Sequence, residues 1–240
     1  RRRGLQRPVP PALVVRREAG GIRTYAHVGT GNYNARTARM YTDLGLLTCD
    51  PRTGSDLVNL FHHITGYAPE QTYDTLLVAP WDMRDRFLAR IEREIEHEEA
   101  GNDGRIVAKM NGLDDVPLIQ ALYRASRAGV PIDLIVRGHT RLRPGVPGVS
   151  ATIRVVSIID RFLEHDRIFL FGNGGEREVL LGSADWKRRN LSDRIEAIVP
   201  VRDPALAGRL EGILEAALAD DRNAWDLAPD GRYVQRTPAD

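Results

Sequence analysis

The chain has 240 residues, enough for one large domain or two modest ones, each with a buried core. Hydrophobic residues make up 42% and charged residues 28%, and a formal net charge of +1 gives no general attraction to nucleic acid. The single cysteine, Cys49, excludes an internal disulfide and fits a reducing compartment, and no apolar run reaches the ~18 residues needed to span a bilayer.

The first residues are basic but lack the apolar stretch of a signal peptide. The chain also has no initiator methionine, which leads us to expect a piece of a longer protein. Strands are expected at 12–15 and 25–28, joined by Gly20-Gly21 and followed by Gly29-Thr30-Gly31-Asn32. Leu57, Leu60, Phe61 and Ile64 have helical spacing over 55–64, with Ser55 as cap. Residues 66–74 read as a polar connection and a domain boundary. A strand at 76–78 leads into a charged helix over 84–99, whose apolar stripe is Phe87, Leu88, Ile91 and Ile95, ended by Gly101 to Gly104. A strand at 105–110, a helix at 116–128 and a strand at 132–136 then have βαβ spacing, which argues for a mixed sheet with parallel pairs. Residues 143–150 form a Pro/Gly loop. Further strands are expected at 153–157, 168–171, 179–181 and 195–199, and the last helix opens at Asp203-Pro204, with proline at its first position. The tail from Trp225 onward is polar and is expected to pack loosely.

An imperfect internal repeat runs through this order. Leu163-Glu164-His165-Asp166-Arg167 precedes a strand, a Gly-rich turn, a second strand and Gly182-Ser183-Ala184-Asp185. Near the N-terminus the same sequence of strand, turn and strand ends in Gly29-Thr30-Gly31-Asn32. In that register the first copy's histidine falls at Pro8, within Gln6-Arg7-Pro8-Val9-Pro10-Pro11.

A twofold site with one histidine from each half suits phosphoryl transfer. One imidazole attacks phosphorus and the other acts as acid, base or phosphate ligand. Arginine forks neutralise phosphate oxygens better than lysine. Arg137 sits at the C-terminal end of a strand expected to be parallel, the usual ligand edge of an α/β sheet. Arg137 to Arg143 and Lys187-Arg188-Arg189 form basic patches near it. Arg167 shares a face of the extended chain with His165, and the Gly29–Asn32 turn can present backbone N–H groups to an anion. His27 reads as a structural histidine, His62, His63 and His97 as solvated helix residues, and His139 as a loop residue. No Cys/His spacing indicates a metal site, and no phosphate-binding G-x-x-x-x-G-K-[ST] loop is present. Tyr41 fits either core or site edge.

Four longer stretches carry a resemblance: Tyr25-Ala26-His27-Val28-Gly29-Thr30-Gly31-Asn32-Tyr33-Asn34, Thr37-Ala38-Arg39-Met40-Tyr41-Thr42-Asp43, Leu134-Ile135-Val136-Arg137-Gly138, and Asp160-Arg161-Phe162-Leu163-Glu164-His165-Asp166-Arg167. With Asn173-Gly174-Gly175 and Ser183-Ala184-Asp185-Trp186, they resemble the C-terminal region of the type 1 polyphosphate kinases over almost the whole chain. The resemblance implies an α/β fold of two phospholipase-D-like domains, each a mixed sheet flanked by helices, the first truncated here. Its boundaries would be 1–66 for the C-terminal part of the first domain, 67–222 for the second and 223–240 for a polar tail. It implies reversible transfer of the ATP γ-phosphate through phosphohistidine to polyphosphate, with Mg2+ whose ligands are not in this chain. By the same resemblance Tyr41, Arg137 and His165 bind ATP and its phosphates, His165 being the supporting histidine. The implied partners are ATP or ADP and polyphosphate, without nucleic acid or a transmembrane segment. The full-length protein would be a cytoplasmic homo-oligomer, with peripheral membrane association left open.

The departure from the family lies at the nucleophile. Gly4-Leu5 matches a segment that in the family goes on to a histidine, but Pro8 occupies that position. A proline has no nucleophile there, so the chain alone is expected to be inactive. A non-catalytic polyanion-binding, nucleotide-binding or assembly module is the alternative. A phospholipase-D-like phosphodiesterase ranks lower, because the one H-x-K-like copy reads His165-Asp166-Arg167. The first 66 or so residues supply too few elements to close a core of their own.

Overall fold

Strand segments rich in Val, Ile and Leu predict burial on both faces, and they build the centre of the molecule. The computed structural model describes residues 11–66 and 72–238. Pro8 and residues 67–71 of the expected connection lie outside the described residues. In chain order the first half comprises β1 (Pro11–Glu18), β2 (Gly21–Gly29), β3 (Tyr41–Thr42), β4 (Gly45–Thr48) and α1 (Pro51–Thr65). The second half begins with β5 (Leu77–Ala79), α2 (Met83–Glu99), β6 (Ile106–Met110), α3 (Val116–Ala128), β7 (Ile132–Val136) and β8 (Ile153–Ile158). It continues with β9 (Leu163–Glu164), β10 (Ile168–Phe171), β11 (Glu178–Gly182), α4 (Arg188–Asp193), β12 (Glu196–Pro200), α5 (Pro204–Ala219), β13 (Ala224–Leu227) and β14 (Tyr233–Gln235).

The expected mixed α/β architecture forms. Nine strands order as β14-β13-β8-β7-β6-β10-β11-β12-β5, with β6, β7 and β8 parallel and the other pairings antiparallel. On one face α2 and α3 bury Phe87, Ile91, Leu118 and Leu122 against Ile106, Ala108, Ile132 and Leu134. On the other, α5 presents Leu210 and Leu214 to Val107, Ile135, Val156 and Leu181. Phe87, Phe169 and Trp186 form an aromatic knot within the first layer, with ring centroids 4.9 to 5.3 Å apart.

The first half does not close its own core. Its sheet, β1-β2-β4, and α1 bury Ala26, Val28, Leu57 and Leu60 against Leu76, Val78, Ile195, Ala197 and Val199 of the second half. A second link is polar. The Asp56 carboxylate of α1, almost fully buried, accepts the backbone N–H groups of Asp74, Thr75 and Leu76 and the Thr75 hydroxyl. A third is a two-residue parallel ladder in which Tyr41 pairs with Leu163 and Thr42 with Glu164.

Three local expectations are corrected. The first helix starts at Pro51 rather than Ser55, because Asp50 accepts the Thr53 N–H and proline fits the first helical position. The tail is not loose: β13 pairs with β8 and β14 extends the sheet, with Arg236 bonded to Asp226 and to the Leu218 and Asp220 carbonyls. His63 is not solvated, since its ring lies 4.0 Å from that of Trp81 and bonds the Tyr73 hydroxyl. The last helix is capped as expected, with Asp203 accepting the N–H groups of Ala205 and Leu206.

Asp56→Ala orphans three backbone donors at the seam between the halves, at about 1–3 kcal/mol for the first and less for each that water can reach. We expect destabilisation of about 3 kcal/mol in urea melts, with amide exchange in β1, β2 and α1 quickened before that of β6 and β7. Wild-type exchange rates in the first half would refute this role.

Candidate functional site

Because β10 runs antiparallel to β6 and β11 returns parallel to it, one edge of the sheet collects several polar residues. Asn111 follows β6, Arg137 follows β7, Ser183 and Asp185 follow β11, and His165 to Arg167 precede β10. Into this edge the first half inserts Gly29-Thr30-Gly31-Asn32, the turn after β2. The result is a polar cavity of about 250 Å3 whose walls include Thr30, Asn32, Asn111, His165, Arg167, Ser183, Asp185, Lys187, Arg189, Asn190, Arg194 and Glu196. Its cations are Arg167, Lys187, Arg189 and Arg194, and its carboxylates Asp185 and Glu196. The Nε of Arg194 is buried with no hydrogen-bond partner.

His165 is held from across the seam. Its Nδ1 lies 2.8 Å from Asp43 Oδ1, and the same oxygen accepts the Thr30 hydroxyl at 2.7 Å. Burial alone would raise the Asp43 carboxyl; the hydrogen bonds from His165 and Thr30, together with the charges of His165 and Arg167, hold it below the ordinary aspartate range. An ionised Asp43 can only accept, so the His165 Nδ1 carries the proton and Nε2 is the nitrogen offered to the cavity. The Tyr41 ring packs on the imidazole with centroids 4.7 Å apart. Asp43 reaches this position because residue 31 is glycine: a Cβ there would overlap its carboxylate.

Arg167 is turned inward. Its Nε donates to Asp185 Oδ1 at 3.0 Å and its Nη1 to the carbonyls of Thr30 and His165. Asp185 also accepts the Asn111 N–H. Burial pushes the Asp185 carboxyl up, but Arg167 outweighs it and keeps the group ionised well into acid. Glu196 has a guanidinium, that of Arg194, only at 3.9 Å. Burial pushes it up to about 7, against the hydrogen bonds that Ser183 and Asn190 donate to it.

Of the residues singled out from sequence, Tyr41 and His165 touch. Arg137 does not line the cavity; its Nε donates to Oδ1 of Asn111, which does, at 2.6 Å. His27 is structural, bonded to the Tyr33 hydroxyl, and His139 bonds Asp114. Asn111 and Glu196 escaped sequence reasoning, while Asp185 stood in the second turn of the repeat and Asp43 beside Tyr41, each without an assigned role. For two of these four acids and amides the repeat also held a pairing: Thr30 bonds Asp43 and Ser183 bonds Glu196, each pair 13 residues apart. A larger cleft of about 750 Å3 opens at the opposite end of β11, but its arginines are bound locally, Arg90 and Arg93 by Glu178 and Arg177 by Glu211.

Comparison with known proteins agrees with the sequence resemblance. The family models described as polyphosphate kinase C-terminal domain 1 and C-terminal domain 2 match residues 10–70 and 76–240. The polyphosphate kinase of Synechocystis is 59% identical over 236 residues, covering 98% of this chain and 32% of that protein. That of Streptomyces coelicolor is 52% identical over 238 residues, again covering 32% of its length. The crystal structure of the Porphyromonas gingivalis polyphosphate kinase superposes with a TM-score of 0.93 at 41% identity, covering 99% of this chain and 37% of that one. The chain thus spans about a third of the length of the relatives it matches.

Two outcomes are expected from this geometry. Gly31→Ala should drive Asp43 from His165, erasing the imidazole proton bonded to the carboxylate in low-temperature proton spectra; its persistence would show that the turn adapts. Glu196 titrates near 7 folded and near 4.5 unfolded, so between those values the folded chain binds more protons. Stability should therefore fall as pH rises through that window, by up to ~3 kcal/mol, and level off above it. Glu196→Gln should flatten the slope of urea midpoints between pH 5 and 8; parallel slopes would contradict the assignment.

Proposed function

Because this chain belongs to the polyphosphate kinase family, we propose that its cavity binds the phosphates of ATP and polyphosphate as one half of a phosphoryl-transfer site. The observation that carries this reading is the Asp43-held His165 facing a cavity with four cations and two carboxylates, one of them titrating near neutrality. A polyanion would add charge-assisted hydrogen bonds to those cations.

In the reaction that the family implies, a histidine nitrogen attacks the γ-phosphorus. The bond to the ADP oxygen breaks as the N–P bond forms, and the phosphoryl group then passes to the end of a polyphosphate chain. With both ring nitrogens protonated, His165 would donate from Nε2 to a phosphate oxygen, Tyr41 would wall the nucleotide side of His165, and Arg137 would neutralise phosphate oxygens beside Asn111. The attacking histidine belongs opposite His165. By the repeat it falls at position 8, and Glu196 stands in the second half as Asp43 stands in the first. Pro8 cannot attack phosphorus, so the proposal for this chain is binding without formation of phosphohistidine.

Magnesium finds no fitting donor set here. Among the described residues no group of three His, Cys, Asp or Glu is placed to hold a metal ion, and Asp43, Asp185 and Glu196 are each engaged by donors of the protein. No step of this reading runs through the metal. Pro8 also favours a second reading, a polyanion-binding module with no chemistry of its own. A phosphodiesterase reading loses ground, because Arg167, at the position of the motif lysine, is bound by Asp185 and two carbonyls. No helix among the described residues is long and apolar enough to cross a membrane. For the full-length protein the proposal is a cytoplasmic homo-oligomer, with peripheral membrane association left open.

Incubation with γ-labelled ATP should leave the chain without acid-labile, base-stable label, while calorimetry should show tripolyphosphate binding. Arg137→Ala and His165→Ala should each weaken that binding by about tenfold or more, the loss of one charge-assisted hydrogen bond. Label on the chain would overturn the inactive reading. Absence of binding would overturn the polyanion site.

A further inference from the structure

Lys109 is a lysine in the central strand β6, between Ala108 and Met110, with a side chain only 3% exposed. An ammonium so placed costs several kcal/mol unless it is paired, and an aliphatic residue would satisfy the strand. Its Nζ donates to Glu164 Oε2 at 2.6 Å and to Asp166 Oδ1. Those two acids come immediately before and immediately after His165. In extended chain, residues i−1 and i+1 point to the same side and residue i to the other. One ammonium gripping both neighbours therefore fixes the peptide between them and aims the imidazole away from Lys109.

The remaining contacts of the segment complete the grip. Thr42 approaches from the first half, with its hydroxyl 3.2 Å from the His165 N–H and 3.2 Å from Asp166 Oδ1. Arg167 holds the His165 carbonyl. Only then do Asp43 and Tyr41 meet the ring. We propose that Lys109 is the positioning residue of His165: it sets the backbone from which the imidazole reaches Asp43 and the phosphate cavity, without touching the ring or the substrate. Its relevance to phosphate binding rests on the reading of the cavity given above. Removing the cation leaves two carboxylates converging on one point with no cation between them; their repulsion drives Glu164, the more exposed of the two, toward solvent and carries His165 with it.

The test uses the whole chain in solution. In the wild type the Tyr41 ring lies 4.7 Å from the His165 ring, so the imidazole carbon-bound protons carry a ring-current shift, assigned by their loss in His165→Gln. Lys109→Met should abolish that shift and weaken tripolyphosphate binding about tenfold. The shifted methyls around Phe87, Phe169 and Trp186, which report the fold, should stay in place. A His165 shift unchanged in folded Lys109→Met would overturn the proposal. Should that variant not fold, Glu164→Gln carries the same comparison from a more exposed side chain, with a reduced shift expected and an unchanged one overturning it. A wild-type chain that binds no tripolyphosphate would overturn the polyanion reading of the cavity, and the ring-current comparison would still decide the role of Lys109.

Discussion

One carboxylate oxygen, Asp43 Oδ1, organises the site. It accepts from Thr30 on its own half and from His165 on the other, and so fixes the entering turn and the imidazole together. Two hydrogen bonds to a single anion in partly dry surroundings are each stronger than their neutral counterparts. They also set the tautomer of the histidine. Two nearby features help to bring this oxygen and its partners into place. The missing side chain at Gly31 lets the carboxylate approach, and the β3–β9 ladder aligns Thr42 with the residues around His165.

The buried charges around the cavity are tolerable because each is neutralised within a short chain of contacts. Arg167 and Asp185 neutralise each other with hardly any exposure, and backbone groups from Thr30, His165 and Asn111 take up their remaining donors and acceptors. Arg167 thereby ties the halves together, since Thr30 follows a strand of one sheet and Asp185 a strand of the other. Glu196 is the exception. Burial raises its pKa, and the neutral donors and the guanidinium at 3.9 Å that it meets do not offset that rise.

Much of this arrangement was legible in the chain, for reasons that can be traced. The buried strands announced themselves as Val/Ile/Leu runs, and the caps at Asp203 and Gly129 marked helix ends. The repeat pointed to His165 and to both Gly-x-x-x turns. The elements missed are those stabilised from elsewhere. β3 and β9 are two residues each and exist only as partners of one another. β13 and β14 owe their order to β8 and to Arg236 rather than to an apolar pattern of their own. Asp43 looked like a polar neighbour of Tyr41, because the histidine that gives it a role stands far along the chain.

The placement of Asp43 in one half and His165 in the other has an evolutionary consequence. The first half keeps the acid to which the second half's histidine is bonded, so neither half carries that pair by itself. Substitutions accumulating in one half are therefore screened by the other, and the two lineages of residues must drift in step. Chimeras that join the first half of one distant relative to the second half of another would break that correspondence even where each segment folded well, so the heritable module is the pair.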